Sequence, residues 1–125
     1  MANTNTRPTS PHLQIYQLPL TGMISISHRI SGVLLCFGLV LFACLLSSLA
    51  NGPEHFLAAQ QLLRYPLILW LYRGFVFALC FHLCHGFRHL LWDAGYSFEH
   101  ETMNRYAWLE VAASLLLTPL VLIFF

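Results

Sequence analysis

The amino-acid sequence predicts an all-α membrane protein with three transmembrane helices. The chain has 125 residues, of which 58% are hydrophobic and only 9% are charged. Soluble domains average roughly 25% charged residues, so this composition excludes a soluble enzyme and a disordered tail. All six basic residues are arginine. No lysine-rich patch is therefore present to attract phosphates, and we expect no nucleic-acid partner. The length suffices for one domain, residues 1–125.

Three apolar stretches are long enough to cross a bilayer as helices. A hydrocarbon core of about 30 Å needs roughly 20 helical residues. The stretches 30–53, 65–87 and 106–125 reach that length, and the only charges inside them are Arg73 in the second and Glu110 in the third. The predicted transmembrane helices are residues 22–50, 66–92 and 106–125, which we expect to form part of a larger helix bundle with partner chains.

Turn-forming and capping residues support these boundaries. Thr21 is expected to cap the first helix, and Asn51-Gly52-Pro53 forms a turn cluster after it. Pro66 suits the first turn of the second helix, and Pro119 is expected to bend the third helix near its end. Residues 1–20 contain three prolines and are expected to be extended, with neither a signal-peptide nor a transit-peptide pattern.

The distribution of arginines favours a cytoplasmic N-terminus. With three spans, the N-terminus and the 93–105 loop lie on the same side of the membrane. Four of the six arginines fall on that side, and basic residues concentrate on the cytoplasmic side of membrane proteins. Because no transit-peptide pattern is present, we expect a bacterial inner membrane, or a mitochondrial inner membrane if the protein is encoded in the organelle.

The second predicted helix carries three histidines on one face, which we call the histidine column. His82, His85 and His89 are spaced i, i+3 and i+7, which matches the helical repeat. Ionisable side chains inside a membrane are costly and typical of functional sites. His82 precedes Asp93 by eleven residues, about 16 Å of helix, which places it near the bilayer midplane. A neutral imidazole at that depth is a suitable metal ligand.

The residues around the histidine column favour a bound haem. Gly86 lies one turn from His82 on the same face and leaves room for a flat ligand. Arg88 and His89 lie about 10 Å further along the helix, where they could bind the propionate carboxylates. The alternative is a histidine that is hydrogen-bonded within the bundle. The other predicted helices offer no second histidine at this depth, so a partner or a second copy must supply the other ligand, or the haem is absent.

The beginning of the first helix carries a second candidate site. Ser25 and Arg29 are i, i+4 neighbours and lie at the inner boundary, level with Arg88 and His89. A hydroxyl and a guanidinium at this place could bond the oxygen atoms of a small molecule. The alternative is an arginine that reaches the interface and only orients the helix.

Together these motifs resemble the cytochrome b556 subunits of succinate dehydrogenase, the larger membrane anchors of respiratory complex II. The resemblance covers nearly the whole chain and rests on H-R-x-S-G combined with H-x3-G-x-R-H-x3-D. The segments that carry it are Arg7–Tyr16, Ser25–Gly32 and His82–Asp93.

The resemblance implies a role for individual residues. His82 matches the axial ligand of one haem b, which would be shared with a partner subunit. His28, Arg29 and His89 match residues near the haem propionates. Ser25, together with Arg29, matches the contribution of the anchor to the ubiquinone site.

The resemblance also implies a subunit that is not catalytic alone. Succinate would be oxidised at a flavin in a peripheral flavoprotein, as part of the tricarboxylic acid cycle. Electrons would pass through an iron–sulfur subunit to ubiquinone. This chain has neither a flavin-binding glycine motif nor the cysteine pattern of a cluster. Its expected partners are the flavoprotein, the iron–sulfur subunit, a second small hydrophobic anchor and the lipid bilayer.

Three alternatives remain open at this point. The first is a fumarate reductase anchor, which works in the reverse direction. The second is a small transporter lined by the histidine column, which would need more polar residues on the facing helices than Glu110, Ser114 and Thr118.

The third alternative concerns the identity of the haem ligand. His85 is an extra histidine where family members often carry an apolar residue, and it could replace His82.

Overall fold

The computed structural model describes residues 16–124, and within this range the chain forms four α-helices. Three of them are long and apolar enough to cross a membrane, by length and composition. The predicted all-α class with three transmembrane helices is therefore confirmed. Most of the N-terminal segment that was predicted to be extended lies outside the described residues. The helices are α1 Leu20–Ala50, α2 Pro53–Leu63, α3 Pro66–Asp93 and α4 His100–Phe124.

α1 begins two residues earlier than predicted, and the prediction that Thr21 caps it is wrong. The N-cap residue is Pro19, whose backbone is extended and which makes no side-chain cap hydrogen bond. Its carbonyl oxygen accepts hydrogen bonds from the N–H groups of Gly22 and Met23 at 2.9 and 3.1 Å. Thr21 consequently lies inside the first turn, where its hydroxyl is not needed as a cap.

α2 is a short helix that the sequence analysis did not predict. It begins at Pro53, a favourable first helical position. The preceding Gly52 has φ 108°, a conformation that residues with a side chain rarely adopt. The predicted turn after α1 is thus also the start of α2. Eleven residues are too few to cross a bilayer, so α2 connects α1 to α3 on one side of the membrane.

α3 begins with Pro66 in its first turn, as predicted, and ends in a Schellman-type turn. The N–H of Tyr96 donates to the carbonyl oxygen of Leu91 at 2.9 Å, and the N–H of Gly95 donates to that of Trp92 at 2.8 Å. Gly95 has φ 86°, as this turn requires. The turn ends α3 and leads to α4.

α4 begins at His100, six residues before the predicted start. The sequence analysis placed the start where the apolar stretch begins, but the polar residues 100–105 are helical as well. Pro119 lies inside α4, which continues to Phe124. The bend expected at Pro119 stays a prediction.

α3 lies at the centre of the bundle and contacts both α1 and α4. Two glycines of α1 allow a close approach to α3. A Cβ at Gly38 would lie 3.1 Å from the ring of Phe75, and one at Gly32 would lie 3.2 Å from the ring of His82. Most large apolar side chains outside the core are exposed, as expected for a bundle covered by lipid or partner helices. The buried apolar core consists of Ile24, Phe81 and Ala107.

Candidate functional site

His28 of α1 packs against all three members of the histidine column of α3. Its ring centroid lies 4.0 Å from that of His82, 4.3 Å from that of His85 and 5.8 Å from that of His89. The rings of His28 and His82 are stacked, with an interplanar angle of 18°. Nitrogen atoms of His28, His85 and His89 lie within 4.8 Å of one another. The structure therefore gathers four predicted histidines into one cluster.

The hydrogen bonds of His82 leave its Nε2 atom available as a ligand. The Oγ atom of Ser31 donates to the carbonyl oxygen of His28 at 2.7 Å and lies 3.0 Å from Nδ1 of His82. Because the single hydroxyl proton is used on the carbonyl, Nδ1–H must donate to Ser31. In the neutral form of the ring with its proton on Nδ1, the Nε2 atom carries the lone pair that a metal ligand requires. His82 is half-buried, so part of its ring remains accessible from outside the chain.

His85 is enclosed more completely than His82. It is 1% exposed, and its Nδ1 atom donates to Oε1 of Glu110 at 2.7 Å. Its Nε2 atom is buried and has no hydrogen-bond partner among the described residues. This chain therefore covers His85 itself, which makes His85 a poorer candidate than His82 for a haem shared with another subunit.

Arg88 belongs to the same buried network. Its Nη1 atom donates to Oε2 of Glu110 at 3.2 Å, and its Nη2 atom donates to the carbonyl oxygen of Met103 at 2.8 Å. The guanidinium also lies 4.6 Å from the ring centroid of Trp92. We call His85, Arg88 and Glu110 the buried triad. Since the guanidinium is bound to α4, the contact of Arg88 with a haem propionate stays a prediction.

The sequence analysis did not find the buried triad. One signal was present, because a carboxylate inside an apolar span is expensive unless it is paired. The partners of Glu110 lie 25 and 22 residues earlier in the chain, on another helix. Periodicity within one helix does not identify them, since the rotation of α4 against α3 determines which side chains meet.

Ser25 and Arg29 lie one turn apart in α1, close in sequence to His28. Ser25 is partly exposed and Arg29 is exposed. The ion pairs within residues 16–124 involve Arg88, Arg105 and His85, and not Arg29. Both side chains are therefore available to a ligand, to a partner subunit or to the membrane interface.

The helix face beside His82 is open enough for a flat group. A Cβ added at Gly86 would meet no atom within 4 Å. His89, further along the column, is exposed. An imidazole with a free Nε2, an open face and an exposed histidine fit a haem. The ring of His28 stacks directly on that of His82, so these two rings cannot bind one iron from opposite faces. The described residues thus fit one side of a haem.

Comparison with known proteins identifies relatives over nearly the entire chain. The family described as succinate dehydrogenase/fumarate reductase transmembrane subunit matches residues 3–121. The succinate dehydrogenase cytochrome b556 subunit of Rickettsia typhi is 41% identical over 118 residues, which cover 93% of this chain and 90% of that protein. The cytochrome b556 subunit of Paracoccus denitrificans is 40% identical over 123 residues, 98% of this chain and 95% of that protein. The succinate dehydrogenase cytochrome b560 subunit of Reclinomonas americana is 36% identical over 124 residues, 95% of this chain and 86% of that protein.

Proposed function

The chain belongs to the succinate dehydrogenase/fumarate reductase transmembrane subunit family, as the motifs predicted, and we propose that it anchors a succinate:ubiquinone oxidoreductase and ligates haem b through His82. A flavoprotein would oxidise succinate, and an iron–sulfur subunit would deliver the electrons to ubiquinone at the membrane. This chain and a second small hydrophobic anchor would hold both. The relatives are named succinate dehydrogenase subunits, which supports this direction over fumarate reduction.

The hydrogen bond between Ser31 and His82 is the observation that carries the haem assignment. It fixes the ring orientation and the tautomer, so that Nε2 is the free atom. Gly86 leaves the face of α3 beside the ring open, and Gly32 lets α1 approach the ring closely. The exposed His89, with His28 and Arg29, would bind the propionate carboxylates. A haem held there would supply a one-electron redox centre next to the quinone site.

Ser25 and Arg29 would bind the carbonyl oxygens of ubiquinone. A hydroxyl and a guanidinium are both donors, and negative charge develops on the quinone oxygens during reduction. Arg29 directly follows His28, whose ring packs on the histidine column. The two proposed sites therefore adjoin at one end of the bundle, where Arg29 would serve both the quinone and a propionate.

The transporter alternative has less support. Glu110 is bound to His85 and Arg88. The hydroxyls of Ser114 and Thr118 donate to carbonyl oxygens of their own helix at 2.8 and 2.7 Å. The polar groups that a conducting path along α4 would need are thus satisfied within the bundle.

Membrane location follows from the three long apolar helices and the family. We further propose that the N-terminus lies in the cytoplasm, or in the matrix for an organelle-encoded protein. The excess of arginines on the side of the N-terminus and of the 93–105 loop supports this orientation.

Separate exchange of two column histidines tests the haem assignment. In the complex purified from its native membrane, His82→Ala should remove or shift the b-type band of the reduced-minus-oxidised spectrum. His85→Asn should largely preserve the band, because an amide N–H can still donate to Glu110 although the Nε2 atom is gone. His55→Ala in α2 is the control, and the co-purifying subunits report assembly. The reverse pattern would place the ligand at His85, about 4–5 Å along the helix.

A further inference from the structure

Apart from the predicted contact of Arg88 with a haem propionate, the proposed function gives the buried triad no role, although it is the most enclosed charged cluster in residues 16–124. His85, Arg88 and Glu110 are 1%, 3% and 5% exposed. Burying an ion pair costs several kcal/mol per ion before the attraction offsets it. Apolar side chains of similar volume would hold α3 to α4 without this cost. Adhesion between the two helices alone therefore does not explain the triad.

A continuous series of contacts leads from Glu110 to the proposed haem ligand. Glu110 fixes His85 through a hydrogen bond of 2.7 Å. The ring of His85 lies 4.3 Å from that of His28, which stacks at 4.0 Å on His82. The Nε2 atom of His28 is buried without a hydrogen-bond partner among the described residues. The position of the His28 ring therefore depends on the rings that pack against it.

We propose that Glu110 is a positioning residue for His82: through His85 it holds His28 against the ligand ring, and with Arg88 it sets the charge beside the redox centre. This inference rests on the proposed function. Arg88 donates to Oε2 of the Glu110 carboxylate at 3.2 Å, so the negative and positive charges offset each other. Loss of the carboxylate charge leaves the cation uncompensated in a medium where charges interact strongly. An uncompensated cation favours the reduced form of a nearby redox centre.

Glu110→Gln tests this proposal in the complete complex purified from its native membrane. Glutamine keeps the volume and one acceptor oxygen, so the complex should assemble with its haem. We expect the midpoint potential of the haem to rise. The amide presents an NH2 group to one of the two donors that the carboxylate bonded, so His85 and Arg88 are no longer both held. The g values of the oxidised haem should therefore change as the His28 and His82 rings shift. The g values would not move if the triad only held the helices together.

Glu101→Gln is the matched control on the same helix. The Glu101 side chain is 87% exposed and lies 3.8 Å from Arg105 in an exposed ion pair. Its exchange should leave the potential and the g values unchanged. An equal shift in both variants would overturn the proposal, as would a haem-loaded Glu110→Gln complex with wild-type values.

A double variant decides the case in which Glu110→Gln does not assemble. Glu110→Leu with Arg88→Met removes both charges of the ion pair at similar volume, so neither charge is left buried alone. We expect this complex to assemble with changed g values, because His85 has lost its acceptor. If neither variant assembles, the triad is structural and the proposal is overturned. A wild-type complex without b-type haem would instead contradict the proposed function.

Discussion

Two histidines of α3 have the same hydrogen-bond pattern but different surroundings. His82 and His85 each donate from Nδ1, to Ser31 and Glu110 respectively, and each keeps Nε2 free. His82 is half-buried whereas His85 is enclosed between α3 and α4. The spacing in the sequence put both on one helix face; the estimated depth and Gly86 favoured His82 as the ligand, with His85 left as an alternative. The choice depends on the neighbouring helices, which supply the acceptors and the cover.

Ser25→Ala tests the proposed quinone site. The exchange deletes one donor and little volume, and a neutral hydrogen bond is worth about 1 kcal/mol. Ubiquinone reduction by the complex should therefore slow roughly fivefold. Succinate oxidation with an artificial acceptor at the peripheral subunits should stay near normal. Steady-state assays with the two acceptors measure the difference.

Ser27→Ala is the control for this exchange. Ser27 lies in α1 two residues away and is exposed, so its loss should affect neither assay. If Ser25→Ala lowers both activities together, the defect lies in assembly. If it lowers neither, Ser25 is only a polar residue near the start of α1, and the quinone role would rest on the family alone.

The long helices were predictable from the sequence, whereas their connections were less so. Apolar stretches of about 20 residues can hardly be anything but spans. Asn51-Gly52-Pro53 and Pro66 also set the observed boundaries. α2 was missed because eleven residues of mixed polarity give no span signal. The start of α4 was placed late because hydropathy follows lipid contact and not helix formation, and residues 100–105 are helical but polar.

Helix rotation limits how much of the site a sequence can reveal. Ser25 and Arg29, or His82 and Gly86, lie on one helix, so their relation follows from the helical repeat. The bond from His85 to Glu110 joins two helices, and its formation depends on how α4 is turned. The same holds for Ser31. The motif H-R-x-S-G contains this residue, but spacing within α1 does not imply its contact with His82 on α3.

Gly38→Leu tests the close approach of α1 and α3. A Cβ at Gly38 would already lie 3.1 Å from the ring of Phe75, so a larger side chain must force the helices apart. Overpacking of this kind lowers the free energy of unfolding by about 1–3 kcal/mol. The melting temperature of the purified complex should fall, as measured by thermal unfolding in detergent.

Gly74→Leu in α3 is the matched control for Gly38→Leu. A Cβ at Gly74 would meet no atom within 4 Å, so the added side chain projects into open space. The melting temperature should change much less for this variant than for Gly38→Leu. Equal losses would show that α1 and α3 are not held at the distance that the structure gives.

The chain as a whole exposes apolar surface that lipid or partner subunits must cover. Its buried apolar core is small, and many large apolar side chains are exposed along the three long helices. Lipid can cover such surfaces, but it cannot supply a ligand. Among the described residues, His82 combines an accessible Nε2 with an open helix face beside it. We therefore propose that a second axial ligand to the same iron comes from another chain.

Gentle purification of the tagged chain from its native membrane tests this dependence. A second small hydrophobic anchor, an iron–sulfur subunit and a flavoprotein should co-purify, and haem should be found only in that assembly. The reason is that the ring of His28 stacks on that of His82 at 4.0 Å and so cannot bind the opposite face of an iron held by His82. Mass spectrometry identifies the subunits, and the absorption spectrum of each size-exclusion fraction locates the haem.

The chain expressed without its partners is the control, and it should elute without a b-type band. A stable, haem-loaded monomer would mean that this chain ligates the iron by itself, and the shared site would have to be abandoned. Haem in a homodimer would retain His82 as the ligand but would make a second copy, and not a different anchor, the source of the opposing histidine.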